Sequence, residues 1–310
     1  MPTNVLITGA SGYLGSSFID AIDHETLPTA CTVYASVRNA ASAKAVTDAG
    51  LVPWVADLRD PDAIAREVVD KEISVVFWLI DVLSVDSQTS FLKALAEVKR
   101  KTGNEVHFLQ AIETNNVVIE QGEALGVRTY IFVPCIVYGE HQGFGNKISI
   151  QNVAIVNAAK AAGNVYKVDT DRPTWPVCHV TDNARLYVAI LTKILAGDLA
   201  TLGHGKQGYY LAAAGSLVWE DLYAAMAAAL VRHGAIASAE VPLADDAALE
   251  KMAQGLGGGP KEFVRVQLGG RCTFTAEHGA RIGWRPRYAP EHIIESADAE
   301  VKRILEHGGK

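Results

Sequence analysis

Thr8-Gly9-Ala10-Ser11-Gly12-Tyr13-Leu14-Gly15 stands directly behind a short apolar run, Val5–Thr8, and opens a helical pattern over Tyr13–Ile22. In that setting the three glycines have separable duties. Glycine at 9 permits a tight turn, glycine at 12 lets backbone approach a pyrophosphate, and glycine at 15 allows close helix–strand packing. The helix N-terminus adds free amides and the positive end of its dipole, which favour an anion. Three glycines at such spacing are a weak signal alone. Between a terminal strand and a helix they mark a dinucleotide-binding turn, against the plainer alternative of a glycine turn without ligand.

Working outward, short apolar runs alternate with helical patterns. Thr32–Ser36, Leu51–Ala56, Val75–Leu79, Val106–Leu109 and Thr129–Val133 read as further strands. Ala40–Ala49, Ala63–Val69, Phe91–Lys101 and Thr114–Leu125 read as the helices between them. Parallel strands need crossovers of this length, so the first half predicts an α/β fold with a doubly wound parallel sheet. The pattern loosens from about Tyr138. Gly139–Lys147 and Gly163–Pro176 read as polar, glycine-containing loops, and Asp182–Ala196 returns to helical periodicity. A strand at Gly208–Ala213, a helix over Trp219–Arg232 and a flexible break at Gly255–Pro260 follow. The expected division is a Rossmann core over 1–200, with 139–177 contributing to the substrate side, and a smaller α/β substrate-capping domain over 201–310.

Bulk properties narrow the class. In 310 residues, hydrophobic side chains make up 49% and charged ones 20%, an ordinary globular balance. A net charge of −7 argues against a nucleic-acid surface. Cys31, Cys135, Cys178 and Cys272 are far apart, which gives neither a zinc spacing nor a disulfide framework, and no metal site is expected. No signal-like leader precedes the first strand, and no apolar run approaches the roughly 20 residues of a membrane span. The reading is a cytoplasmic protein without a membrane or nucleic-acid partner.

The end of the second strand decides between dinucleotides. An acidic residue there would take the ribose hydroxyls of NAD, whereas this chain reads Ser36-Val37-Arg38-Asn39. Arg38 can pair with a 2′-phosphate and stack on adenine, which favours NADP(H) over NAD(H). A solvated surface arginine is the alternative.

Further segments resemble the extended, atypical short-chain dehydrogenase/reductases of the NAD-dependent epimerase/dehydratase family, and most closely a fungal-like branch. Thr8–Gly15 is similar to that family's nucleotide motif, in which Gly9, Ser11, Gly12, Tyr13, Leu14 and Gly15 surround the pyrophosphate. Ala56-Asp57-Leu58 resembles its adenine-binding acid–leucine pair, and Trp78-Leu79-Ile80-Asp81 the strand end beside the cofactor ribose. Val133-Pro134-Cys135-Ile136-Val137-Tyr138-Gly139 resembles the segment that passes the nicotinamide. Gly145–Gln151 and Cys178–Asp182 resemble the substrate-side loop and the start of the next helix, and Ile282–Pro286 the C-terminal glycine–tryptophan–proline turn. The resemblance implies a Rossmann sheet with a smaller C-terminal substrate domain, and a homodimer through the helices of Phe91–Lys101 and Thr114–Leu125.

Several of these residues also have a structural reading. Asp57 could cap a turn; for His179, as a packed histidine, and for Asp182, as an N-cap, structural duty ranks ahead of chemistry. Trp175, Tyr166 and Phe144 either line an apolar pocket or pack the smaller domain.

One element of the resemblance is missing. Family chemistry uses a tyrosine and, four residues later, a lysine that lowers the tyrosine's pKa and holds the nicotinamide ribose. None of the ten tyrosines has lysine at that distance. The strand Val106–Leu109 meets the later part of the following helix almost at once, with the join near Gln110–Ala111. Either the physical protein carries further residues there, or the fold lacks the pair. Tyr138, His141, Lys147 and Asp81 are titratable groups on the nicotinamide side, and Tyr138, Lys147 and Asp81 stand as substitute catalytic candidates. The reading is an NADP(H)-dependent oxidoreductase acting on a carbonyl or alcohol of a small organic molecule. A non-catalytic NADP(H)-binding sensor or regulator, and an epimerase or dehydratase, are the alternatives.

Overall fold

The computed structural model describes residues 3–22, 26–37, 40–55, 57–58, 60–80, 86–111 and 115–307. The chain opens with β1 (Thr3–Ile7), α1 (Tyr13–Ala21), β2 (Cys31–Ser36), α2 (Ala40–Asp48), β3 (Val52–Trp54) and α3 (Pro61–Asp70). It continues through β4 (Ile73–Trp78), α4 (Asp86–Thr102), β5 (His107–Ala111), α5 (Asn115–Leu125) and β6 (Arg128–Val133). Local chemistry sets the boundaries. Asp60 caps α3 by accepting from the amides of Asp62 and Ala63 at 2.9 and 3.2 Å, and Pro61 occupies the first turn, where its missing N–H costs nothing. Lys99, Arg100 and Lys101 fill the last turn of α4, opposite the negative end of its dipole.

These strands and β9 (Tyr209–Leu211) form a seven-stranded sheet in the order β3-β2-β1-β4-β5-β6-β9, parallel throughout. Side chains alternate across it. Val5, Ile7, Phe77 and Phe132 meet Phe18 and Tyr187 on one face, while Leu6, Val76, Phe108 and Ile131 meet Phe91 and Leu95 on the other. All six residues of β4 are buried, as expected for a strand covered on both faces. The chain runs from β1 outward to β3 and then returns to β4. That reversal is a topological switch point, beyond whose carboxyl ends ligands bind in open α/β sheets.

A second, three-stranded sheet, β10-β8-β7, is built from β7 (Ile136–Tyr138), β8 (Thr174–His179) and β10 (Gly215–Val218). Around it lie α6 (Gln151–Ala162), α7 (Val180–Leu195), α8 (Trp219–Arg232), α9 (Asp246–Gly255) and α10 (Glu262–Leu268). The short α11 (Glu277–Arg281) and α12 (His292–Glu295) and the terminal α13 (Ala297–His307) complete the chain. Ile155, Val177, Leu222, Met226, Leu249 and Val301 share its core.

The α/β architecture with a doubly wound parallel sheet agrees with the sequence reading, and the differences fall after Tyr138. β8 starts inside the expected Gly163–Pro176 loop, because Pro176 argues against a strand yet sits in register with Ser216. The division expected at 200 is crossed by both sheets: β9 belongs to the large one, and β10 joins β7 and β8 in the small one. Among the described residues no helix is long and apolar enough to cross a membrane.

Candidate cofactor site

β1 and β4 are tied together where the glycine turn begins. The Thr8 hydroxyl, fully buried, donates to the Phe77 carbonyl at 3.3 Å and accepts from the Leu79 amide at 2.9 Å. The chain then turns at Gly9, whose φ of +65° disfavours any residue with a Cβ. A Cβ there would come within 2.6 Å of Ile80 Cγ2, and one on Gly15 within 2.1 Å of the Gly9 carbonyl oxygen. Gly12 differs. A Cβ on it would meet only the Gly9 oxygen, at 3.1 Å, so its outward side is open. Gly12 caps α1 without a side-chain bond, and no acidic residue occupies the first turn. The first amides of a helix have no intrahelical acceptor. The turn thus presents small backbone, uncompensated N–H groups and a positive dipole end, and it fits a pyrophosphate.

The loop after β7 lies against this helix start. The Asn146 amide donates to the Ser11 carbonyl at 3.0 Å, and the Gln142 amide to Asp20 Oδ2 at 3.1 Å. Gly143 and Gly145 make that approach possible, since Cβ atoms there would fall 2.3 Å from the Ser16 oxygen and 2.5 Å from the Ser11 oxygen. His141, almost fully buried, donates from Nε2 to the Asn146 carbonyl at 2.8 Å, which leaves Nδ1 unprotonated in the neutral ring. Burial keeps its pKa below the usual histidine range. Tyr13 reaches the same loop, its hydroxyl donating to the Gly139 carbonyl at 2.7 Å.

The residues expected at the cofactor fall into three groups. Gly9, Ser11, Gly12, Tyr13, Leu14 and Gly15 surround the turn, with Leu79 and Ile80 at its side. Asp57 is exposed and Leu58 partly buried, next to the turn before α3 in which the Asp60 amide donates to the Asp57 carbonyl at 3.1 Å. Pro134 and Cys135 follow β6. The Cys135 thiol donates to the Ala212 carbonyl at 2.8 Å, and burial pushes its pKa up, so it is no ready thiolate. Ile136 turns into the core of the small sheet and Val137 packs with Tyr13 and Val180. Arg38 and Asp81 lie outside the described residues.

The other catalytic candidates already have partners. Tyr138 is 1% exposed, shares the core of the small sheet, and meets His292 Nδ1 at 3.1 Å. The Lys147 ammonium donates to the carbonyls of His141 and Gly143, closing its own loop. At the end of β5, Gln110 Nε2 donates to Asn115 Oδ1 at 3.1 Å, linking strand to helix near the expected join.

His179 and Asp182 do structural work, although not the work expected of Asp182. The N-cap of α7 is His179, whose Nδ1 accepts from the Thr181 amide at 3.3 Å. Asp182, wholly buried in the first turn, accepts from the amides of Arg287 and Tyr288 at 2.7 and 3.0 Å. Its carbonyl accepts from Trp284 Nε1 at 2.9 Å, so Asp182 pins the glycine–tryptophan–proline turn. Burial, then the neighbouring His292, brings the His179 pKa down to about 4. Trp175 and Tyr166 pack against the small-sheet core, and Phe144 against the large one.

Glu300 escaped the sequence reading. It is 2% exposed, accepts from the Gly139 amide at 3.2 Å and from Asn152 Nδ2 at 2.8 Å, and pairs with Arg303 at 2.5 Å. Its partner Gly139 is 161 positions away, a separation no local pattern can signal. Beside it a cavity of about 390 Å³ is lined by His141, His179, Tyr288, His292 and Arg303, among others. No group of three or more potential ligands among the described residues could hold a metal ion.

No protein-family profile and no curated protein matches the chain. Solved structures do. The UDP-glucose 4-epimerase of Thermotoga maritima, solved with UDP-glucose, is 13% identical over 98% of this chain and 100% of its own, with a TM-score of 0.59. The dTDP-glucose 4,6-dehydratase of Bacillus anthracis, solved with NAD, is 12% identical over 98% of both chains, with a TM-score of 0.60. A monomeric L-threonine 3-dehydrogenase from a metagenome is 12% identical over 97% of this chain and 99% of its own, with a TM-score of 0.59. At such identities the shared property is the fold alone, the one these epimerase, dehydratase and dehydrogenase structures have in common.

Proposed function

We propose that this chain is an NADP(H)-dependent oxidoreductase that interconverts a carbonyl and an alcohol of a small organic molecule. The observation that carries the reading is the glycine turn: Gly12 open on its outer side, at an uncompensated helix start, beside the switch point of the sheet. The amides of Ser11, Tyr13 and Leu14 would hold the pyrophosphate, with the Gly12 amide closing the turn onto the Gly9 carbonyl at 2.8 Å; Arg38 would hold the 2′-phosphate, and Asp57 and Leu58 the adenine. Leu79, Ile80 and Asp81 would flank the ribose, and the backbone of Pro134 to Val137 would pass the nicotinamide.

When bound, the cofactor supplies hydride. That hydride would be for the carbonyl carbon of the substrate, and the proton for its oxygen would be left to solvent. Tyr138 and Lys147 are bonded within the protein, and neither would supply the proton. The protein's part is to bind and orient. A cytoplasmic setting and a homodimer through α4 and α5 belong to the same proposal.

A second reading is favoured by one observation, the absence of a tyrosine with lysine four residues on. It makes the chain a non-catalytic NADP(H)-binding sensor or regulator. Epimerase or dehydratase chemistry is the variant within the enzyme reading, less favoured because Arg38 points to NADP. NADPH oxidation over a panel of aldehydes and ketones tests the proposal. Turnover of any member supports it, and tight NADPH binding without turnover across the panel transfers the conclusion to the second reading.

A further inference from the structure

A cavity of about 460 Å³ opens at the carboxyl ends of β6 and β9, with β4 and β5 between it and the glycine turn of β1. That volume is within the range of small-molecule sites. Val133 and Leu211, paired in register as the last residues of their strands, give it an apolar base. Tyr209 and Phe274 line it as well and remain 38% and 66% exposed, unusual for aromatic side chains of that size. Thr273, Thr275 and His278 add polar groups.

The charge of this lining is selective. Its one ionic residue is Glu277, tied to Arg281 at 3.2 Å, and the lining among the described residues holds neither lysine nor arginine. Glu277 also occupies the first turn of α11, cancelling the dipole end that could otherwise attract an anion. A nucleoside diphosphate brings at least two negative charges, which proteins meet with arginine, lysine or a free helix start. Here it would meet a Glu277–Arg281 ion pair whose guanidinium is already engaged.

We infer that this cavity binds neutral carbonyl compounds or alcohols with an aryl or alkyl body and rejects phosphate-bearing ones such as sugar nucleotides. As the substrate subsite it rests on the oxidoreductase reading, because Val133 leads directly into the segment expected beside the nicotinamide. The apolar body would lie on Val133, Leu211, Tyr209 and Phe274, and the oxygen would face the hydroxyl-bearing side.

The test is ligand-observed saturation-transfer NMR on the full chain, with acetophenone, cyclohexanone and UDP-glucose as probes, run with and without NADPH. Acetophenone is expected to bind, and UDP-glucose to give no signal at the same concentration. Replacing both exposed aromatics, Tyr209→Ala with Phe274→Ala, should weaken acetophenone about fivefold or more. Its melting temperature and its NADPH affinity, read from nucleotide fluorescence, should stay near those of the parent. UDP-glucose binding more tightly than either ketone, or equal ketone binding by parent and variant, overturns the inference. If ketone binding and its loss hold while NADPH fails to bind the parent, the subsite stands and the oxidoreductase reading falls.

Discussion

The phenol of Tyr13, in the first turn of α1, donates to the carbonyl of Gly139 at 2.7 Å, 126 positions along the chain. The same glycine's amide donates to Glu300 at 3.2 Å. One peptide segment therefore fastens the start of α1 to α13 and, through Asn152, to α6. The loop after β7 is anchored at this point, and its later residues lie on Ser11 and Ser16.

Tyr13→Phe removes the hydroxyl and leaves a buried carbonyl without its donor. A loss of about 1–2 kcal/mol is expected, the range for one broken buried hydrogen bond. Urea unfolding checks it, with a lower midpoint and an unchanged m-value. An unchanged midpoint would mean that the bond contributes nothing net.

Gly139→Ala should be costlier. Gly139 has φ +97°, and a Cβ there would sit 2.1 Å from His179 Nε2. Backbone strain and overpacking add, for an expected loss of about 2–4 kcal/mol. Thermal unfolding would read this as a clear drop in Tm. The variant tests whether the imidazole holds its place, since a freely moving ring would admit the methyl at little cost.

His179 predicts an acid-side loss of stability. Its folded pKa of about 4 is below the ordinary 6.5, so the unfolded chain binds the proton first. Stability from this group is then fully present above pH 6.5 and declines as pH falls from 6.5 toward 4. His179→Asn keeps a capping side chain for α7 and removes the titration. Between pH 7 and 5 the parent should lose about 2 kcal/mol more than the variant. His107, held down to about 3 by burial, acts in both proteins and drops out of the difference. Parallel pH profiles would refute the assignment.

The first half of the fold is legible because its signals are local. Val5–Thr8 ends in glycines that the chain geometry demands, and each parallel strand is followed by a helix of sufficient length. The small sheet is less legible. β7 and β10 are only three and four residues long, and Pro176 conceals β8. Asp182 was visible as a helix-start residue, but its true acceptance of the Arg287 and Tyr288 amides depends on chain returning 105 and 106 positions later. Glu300 is invisible for the same reason. Tyr138 and Lys147 looked chemical because they are titratable and near the expected nicotinamide. Sequence position does not say where a side chain points, and theirs are engaged elsewhere.

The link between Gln110 and Asn115 makes β5 and α5 near neighbours in the chain as well as in space. Trypsin should release Thr102–Arg128 as a single peptide, since no lysine or arginine interrupts it. Its mass should equal that of the residues as written. A heavier or divided peptide would place further residues near Gln110–Ala111, and the tyrosine–lysine pair would be sought there.

The proposed choice of NADP over NAD rests on Arg38. Its position after β2 is where Rossmann proteins distinguish a ribose hydroxyl from a 2′-phosphate, and a guanidinium can meet two phosphate oxygens at once. Arg38→Ala should therefore weaken NADPH about ten- to a hundredfold, the equivalent of one charge-assisted contact, and leave NADH within about twofold. Fluorescence titration of both nucleotides against parent and variant makes the comparison. Loss of NADPH affinity alone assigns the 2′-phosphate to Arg38. Equal losses would mean that the side chain stacks on adenine or supports the strand end, and the preference for NADP would then have no residue to carry it.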